Sequence, residues 1–335
     1  MELNIATLSD FTRNAEIMFL KGFDAVSPDA RNSGMFKILS IPDHQGNTKE
    51  FTEIDLEEYA RVKPEGDQAV RARVQQGYSK TATLKRIAMD IGITYEMRRY
   101  NKYDEVVSRL KNLGGLPAKR MELDLQHRLT FAASTSYTSM EGETVDTAVG
   151  DTLALASTAH TVRGSATTFR NRLANNPVFS KGSVEGMEQM IIENSINQFG
   201  EKMVIDYDII WSTDDPNTVN TIREFLRSTS APEAANAGVV NVYQSKYKHV
   251  ILKKVATTAV GAVDSTKAKY WGLASSANSQ AYLAVNEEPK LKTTSANGSA
   301  EDFSTEDWNF GATAGYFICI PGARWFTFSS GDATA

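Results

Sequence analysis

The stretch from Asp43 through Gln76 is strongly polar, and it lies between two runs that read as strands. The first, Met35-Phe36-Lys37-Ile38-Leu39-Ser40-Ile41, stops at Pro42-Asp43; the second runs from Thr81 through Ile91. Two strands flanking a long charged excursion predict an extended hairpin that projects from the body. A free-standing hairpin is marginal in water, so this one requires support from outside its own strands. Residues 1–34 raise the same problem. Asp10 is placed to cap a short helix carrying Phe11, Ala15, Met18 and Phe19. After Gly22 the text turns to loop through Ser27-Pro28-Asp29 and Arg31-Asn32-Ser33-Gly34. An arm with so little apolar surface is expected to reach for a neighbour.

The middle of the chain carries clearer periodicity. Val106, Val107, Leu110 and Leu113 form one apolar helical stripe, which Gly114-Gly115 should end. Pro117 then suits a first turn, and Met121, Leu125 and Leu129 continue at intervals of four. Residues 101–133 therefore read as a long amphipathic helix. Residues 134–180 are rich in Ser, Thr, Ala and Gly, which predicts irregular loops lying on other surfaces. A helix over 183–198 is expected to be capped by Ser183 and stopped by Gly200. A strand over 203–211 places Asp206 and Asp208 on one face. Asp214-Asp215-Pro216 opens a helix with Val219, Ile222, Phe225 and Leu226 inside. Strand text resumes at 247–255, 281–285, 316–320 and 325–328.

No catalytic or metal-binding pattern emerges. The four histidines, His44, His127, His160 and His249, stand apart from one another and from cysteine. No phosphate-binding glycine loop or nucleophile elbow is present. Gly311-Ala312-Thr313-Ala314-Gly315 reads as turn packing, Asp206 and Asp208 as a solvent-facing edge, and the lone Cys319 as a buried, inert thiol. A single cysteine precludes an intrachain disulfide. Asn297-Gly298-Ser299 fits a glycosylation sequon that a cytoplasmic chain would not use. The net charge of −5 argues against a chain whose main task is gripping DNA. Basic clusters at Arg71-Arg73, Lys80-Lys85-Arg86 and Arg98-Arg99-Lys102 are blunted by Asp90, Glu96, Asp104 and Glu105. No signal peptide or membrane-length apolar run is visible. At 335 residues, with 41% apolar and 23% charged, the chain can bury a full core.

The order of arm, projecting hairpin, long helix, loop-rich mixed region and closing strands resembles the major capsid protein of tailed bacteriophages, the Hong Kong 97-type fold. Gly150-Asp151-Thr152-Leu153-Ala154-Leu155-Ala156-Ser157-Thr158-Ala159-His160 resembles a segment of the Mu-like head-subunit branch, in which a Gly-rich stretch precedes Leu-x-x-x-x-His. The Asn171-Asn175-Asn176 loop, the helix near 183, Asn217-Thr218-Val219-Asn220 and Trp325-Phe326-Thr327-Phe328 before Gly331-Asp332 agree in style.

The resemblance implies an α+β fold with an N-terminal arm (1–34), an extended loop (35–92), a peripheral domain on the long spine helix (93–145 with 300–335) and a mixed axial domain (146–299). It implies a structural subunit of an icosahedral head enclosing double-stranded DNA, with no catalytic, cofactor or metal residue. Such a subunit forms pentamers and hexamers, touches packaged DNA weakly and non-specifically, and has no membrane partner. Portal, scaffolding and decoration proteins are further implied partners. Assembly would occur in the host bacterial cytoplasm. Some members carry a scaffolding region before the arm; its lack here implies a separate scaffolding protein. Others crosslink through Lys and Asn, and Lys49, Lys63 and Lys80 lie in the hairpin region, though none is assigned that role. Gly114 and Gly115 are candidate hinge positions, and Arg61, Lys63, Arg71 and Arg73 candidate intersubunit contacts. The rival readings are an encapsulin-like compartment shell, an enzyme without a recognisable motif, and a tail-tube subunit.

Overall fold

A computed structural model describes residues 8–41, 46–57, 59–100, 102–165, 167–229, 240–293 and 308–332. Pro42-Asp43, His44 and the Asn297 sequon lie outside them, as do the side chains of Asp10, Phe11, Arg98 and Arg99. In chain order the elements are α1 (Leu8–Asp24), β1 (Lys37–Ser40), β2 (Thr48–Leu56), β3 (Val74–Thr83), β4 (Lys85–Ile93), α2 (Tyr95–Arg99), α3 (Tyr103–Thr130), β5 (Ser136–Thr138), β6 (Thr144–Asp146), β7 (His160–Thr161) and β8 (Thr168–Phe169). The chain continues through α4 (Lys181–Asn194), β9 (Ile209–Ser212), α5 (Pro216–Arg227), β10 (Lys248–Ile251), β11 (Trp271–Ala274), β12 (Tyr282–Thr293) and β13 (Trp308–Cys319). The fold is mixed α+β.

The two strand runs that flank the polar stretch do not pair with each other. They form the edges of a four-stranded sheet of order β1-β12-β13-β4, with β1 parallel to β12 and β4 antiparallel to β13. The hairpin pairs β2, inside the polar stretch, antiparallel with β3, which begins at the end of that stretch and takes in Thr81, Ala82 and Thr83 of the second run. Scanning for apolar runs misses these strands because only alternate residues face the body. Along β2, Lys49, Phe51, Glu53 and Asp55 turn inward, while Glu50, Ile54 and Leu56 are exposed. Thr52 pairs with Ser79 but Ile54 with Gln76, so Gly77 and Tyr78 together face Glu53 in a bulge.

The long helix also departs from expectation. α3 is one uninterrupted helix of 28 residues with Pro117 inside it. Gly114-Gly115 does not end the stripe, because the glycines serve a crossing. A Cβ on Gly114 would stand 1.9 Å from the Phe19 carbonyl oxygen, and one on Gly22 would stand 2.0 Å from the Lys111 carbonyl oxygen. Only glycine on both helices lets the backbones approach this closely. Ala15 and Phe19 of α1 are buried with Ile93, Leu110, Leu113 and Phe310. α1 is thus packed on its own chain, and it begins upstream of Asp10, which is therefore no cap. The loop after α1 is tied down too: the buried Glu122 carboxylate accepts from Ala30 N at 2.9 Å and from Arg31 Nε at 2.8 Å.

The remaining core centres on a three-stranded sheet, β10-β9-β11, between the main core and a second cluster of α4 and α5. Trp211 stacks on Phe326 at 5.3 Å. The expected strand over 203–211 shortens to β9, and Trp325–Phe328 threads beside β11 through single bridges rather than a ladder. Asp215 caps α5 as expected, accepting from Thr218 N at 2.9 Å. The α4 cap is Ser180, and Ser183 completes its capping box three residues on. No described helix is long and apolar enough to cross a membrane.

Candidate functional site

The hairpin and the surfaces around it hold the chain's unusual chemistry. The inward face of β2 is anchored at three levels. Phe51 stacks on Tyr282 at 4.8 Å and meets Phe317 edge-on. At the far end of the ladder, the root of the 57–73 tip, Arg324 Nη1 lies 3.0 Å from Asp55 Oδ2, with the two side chains only 11% and 12% exposed. Gln198 N also donates to Asp55, Arg163 Nη1 donates to the Gly77 carbonyl at 2.7 Å, and Tyr78 OH meets Thr161 Oγ1 at 2.9 Å. Near the tip, Tyr59 OH reaches the Lys202 carbonyl and Arg73 lies over the Phe199 ring.

The four basic residues read from the sequence as contacts separate into two pairs. Arg61 and Arg73 converge on Glu57, at 2.8 Å and 3.1 Å, and so tie the two limbs together. Lys63 and Arg71 are exposed, with no ion pair among the described residues. Of the lysines, Lys80 is half sequestered: its Nζ is 3.1 Å from Asp146 and donates to the Ala148 carbonyl, and burial lowers its pKa. Lys49 lies over the Phe51 ring.

The outward face is polar toward Thr48 and Thr83 and apolar at its far end. Ile54, Leu56 and Val74 are 69%, 55% and 65% exposed, and Leu56 pairs directly with Val74. Tyr59, Val62 and Val70, in the tip, are also exposed. A contiguous exposed apolar stripe marks an interaction surface. A second candidate surface is an open groove of about 950 Å³ between α3, β4 and the 253–261 loop, lined by Val26, Ile87, Met89, Leu116, Leu123 and Val260 among others. Arg120 organises its wall, pairing with Asp124 at 2.9 Å and with Glu141, whose carboxyl it holds at about 2.

The resembling segment 150–160 lies beneath the hairpin root. Asp151 Oδ1 accepts from Leu153 N at 3.0 Å, and Oδ2 meets His160 Nδ1 at 2.8 Å. His160 is fully buried, contacts the Leu155 carbonyl through Nε2 and stacks on Phe169 at 4.9 Å. Burial raises the Asp151 pKa, but hydrogen bonds from His160 and from the Leu153 and Thr161 amides outweigh it, and the net shift is downward. A Cβ on Gly150 would stand 2.8 Å from both the Pro321 carbonyl oxygen and Tyr78 Cβ, so glycine is required there.

Other polar pairs have structural explanations. Ser212 Oγ lies 2.9 Å from His249 Nε2, but it donates to the Thr213 carbonyl, and burial lowers His249 to about 4. Among the described residues no carboxylate orients that imidazole. His127 contacts Thr257 at 3.2 Å among aromatic rings, and burial lowers it to about 4. Asp206 and Asp208 are exposed, and Asp208 accepts from Ser276 N at 2.7 Å. Cys319 is buried, its thiol pushed up to about 11 by desolvation. No group of three or more metal-ligating side chains occurs among the described residues.

Sequence reasoning missed the root cluster of Glu53, Asp55, Gln198, Gln280 and Arg324. Its one local signal was the spacing of Phe51, Glu53 and Asp55, which puts two carboxylates on the face of a buried aromatic.

No family model and no curated protein matches the chain. Among solved structures it is similar to a virus-like particle from Pyrococcus furiosus, at 10% identity over 95% of this chain and 98% of that one, with a TM-score of 0.47. It is similar to Gordonia phage Cozz at 9% identity over 87% and 83%, TM-score 0.48. It is also similar to the mature capsid of bacteriophage PhiM1 at 8% identity over 88% and 85%, TM-score 0.48.

Proposed function

We propose that this chain is a major capsid protein, a subunit that assembles into the closed icosahedral head of a tailed phage around double-stranded DNA. The observation that carries the reading is the exposed apolar stripe of Ile54, Leu56 and Val74 on a hairpin whose other face is already engaged. A second exposed apolar surface, the groove beside α3, offers a different patch on the same molecule. Two unlike surfaces on one chain favour a head-to-tail contact, which closes into rings when the rotation permits. The segment order, which resembles the tailed-phage major capsid fold, and the 150–160 text, which resembles the Mu-like branch, support the phage assignment.

In this reading the arm, extended loop, peripheral and axial domains fall at 1–34, 35–92, 93–145 with 300–335, and 146–299. Pentamers and hexamers meet through the axial domain, and Lys63 and Arg71 contact a neighbouring subunit. Scaffolding and portal proteins take part in assembly in the host cytoplasm, and packaged DNA is held by weak, non-specific contacts. Shell expansion bends α3 at Gly114-Gly115, where glycine has low helix propensity and Pro117 lacks the N–H that would bond the Leu113 carbonyl.

Negative-stain electron microscopy of the purified protein, with and without a scaffolding partner, tests the proposal. Closed shells or capsomer rings are expected, and in infected cells DNA-filled heads with tails. A chain that stays monomeric at high concentration in both conditions overturns it. Tailless particles holding protein cargo would replace the phage assignment with a compartment shell.

A further inference from the structure

We infer that Glu53 is a proton-operated latch: the hairpin seats on the body with the Glu53 carboxyl protonated, and loss of that proton releases the far end of the ladder, the root of the 57–73 tip. Nothing in this inference depends on the chain forming a shell.

The argument begins with unpartnered oxygens. Among the described residues, the side-chain oxygens of Gln280 and Gln198 are both buried without a hydrogen-bond donor. Both residues lie against Glu53. At Gly322, a Cβ would stand 1.7 Å from Gln280 Oε1 and 2.0 Å from Glu53 Oε1, so these two oxygens are near neighbours. At Gly77, a Cβ would stand 2.5 Å from Gln198 Nε2 and 3.2 Å from Glu53 Oε2, so the Gln198 amide flanks the other carboxyl oxygen. Glu53 is therefore sandwiched between two amides, from the segments before β12 and after α4. It is closed in by two glycines with no room for a side chain. Two acceptor oxygens side by side repel unless a proton lies between them. A buried acceptor without a donor costs on the order of 1–3 kcal/mol. Protonated Glu53 supplies that donor to Gln280 Oε1 and turns a repulsive contact into a hydrogen bond.

The charges facing the carboxyl favour the same state. Asp55 lies on its own strand, and Asp151 faces it from the 150–160 loop, with His160 hydrogen-bonded to Asp151. Arg324 is the nearest cation in the C-terminal segment, but it is committed to Asp55 at 3.0 Å. Arg163, in the turn between β7 and β8, is committed to the Gly77 carbonyl. Tyr282 is also close, and its own hydroxyl is held above the usual phenol range, mainly by burial. Burial dominates at Glu53 and raises its carboxyl to about 7. Arg324 opposes this, Asp55 and Asp151 add to it, and a hydrogen bond from Gln280 opposes it again.

The sign follows from linkage. The seated hairpin binds a proton that a released, hydrated Glu53 gives up near its ordinary value of 4.5. Seating is fully supported below that value, weakens as the pH rises toward about 7, and levels off above it. The opening constant of the root should rise on the order of fiftyfold from pH 5 to pH 8. The bulge at Gly77-Tyr78 makes the root the natural point of release, since its ladder is already interrupted there.

Hydrogen exchange of the full chain in dispersed form at pH 5, 6.5 and 8 tests this, with rates corrected for intrinsic chemistry against the β12–β13 ladder. Protection across β2 and β3 should fall with rising pH while β12 and β13 stay constant. Glu53→Gln keeps the donor and cannot ionise, so it should stay protected at every pH. Protection that is flat with pH in the wild type, or a pH dependence that persists in Glu53→Gln, overturns the latch. If the variant does not fold, carboxyl carbon NMR of glutamate-labelled wild-type protein decides the matter. One glutamate should titrate near pH 7, and titration of every glutamate near its ordinary value overturns the proposal.

Discussion

The crossing of α1 over α3 and the root of the 57–73 hairpin tip are both places where a peripheral segment is fastened to the body, and they are fastened by opposite means. At the crossing, two glycines bring backbones into direct contact and bury Ala15 and Phe19 against Leu110 and Leu113. Among the described residues the contact is backbone on backbone and apolar on apolar, and close-packed apolar surfaces have no graded way to loosen. At the root, the same task falls to Asp55, Arg324, Glu53 and two glutamines with unpartnered oxygens. Buried polar joints are costly when incomplete, so this one depends on protonation and on every partner being present. The arm is therefore a permanent part of the body, and the hairpin a releasable one.

Four mutational tests would break or sharpen that contrast. Arg324→Met should have the largest effect, because it strands the nearly buried Asp55 carboxylate. Breaking one partner of a buried pair costs about 3–5 kcal/mol, and hydrogen exchange should show the loss in β2 and β3 alone. Gly114→Ala should cost about 3 kcal/mol by overpacking against the Phe19 carbonyl. Urea denaturation should show that loss across the whole molecule, with no dependence on pH between 5 and 8. If instead Gly114→Ala loosens only α1, the crossing is not part of the cooperative core. Leu56→Lys with Val74→Glu alters only exposed side chains and leaves an opposite-charge cross-strand pair. Subunit stability should change by less than about 0.5 kcal/mol while particles disappear from micrographs, and intact particles would remove the stripe from the assembly interface. The smallest effect belongs to Arg61→Ala or Arg73→Ala. Each removes one exposed ion pair to Glu57, and Arg73→Ala also a ring contact with Phe199, so thermal unfolding should shift only slightly.

Legibility in the sequence followed the locality of the signal. The α5 cap at Asp215-Pro216 and its inner face of Val219, Ile222, Phe225 and Leu226 could be read directly, because every part lies within a few residues. The α4 cap was misplaced by one turn, since Ser180 and Ser183 both belong to the capping box. Gly114-Gly115 reads as a helix stop only while Phe19 is unknown as its neighbour. The hairpin was expected in the right region but with the wrong strands. β1 and β4 are drawn into a sheet by β12 and β13, more than two hundred residues away in the chain. Of the candidate contacts, Arg61 and Arg73 proved to be joined through Glu57, a link that alternation along two polar strands does not announce.

By itself the sequence determined the long amphipathic helix, the polar excursion that had to lean on something, and the buried thiol at Cys319, while the α+β class came with the resemblance. The first three rest on periodicity, capping or composition, which act within a few residues. Tertiary structure alone decided which strands pair, that the arm packs on its own helix, and that Glu53 meets Gln198, Gln280 and Arg324. Those outcomes depend on register and burial between distant segments. The polar excursion does lean on something: its inner face is held by the chain's own body, and its outer apolar stripe remains open to another molecule.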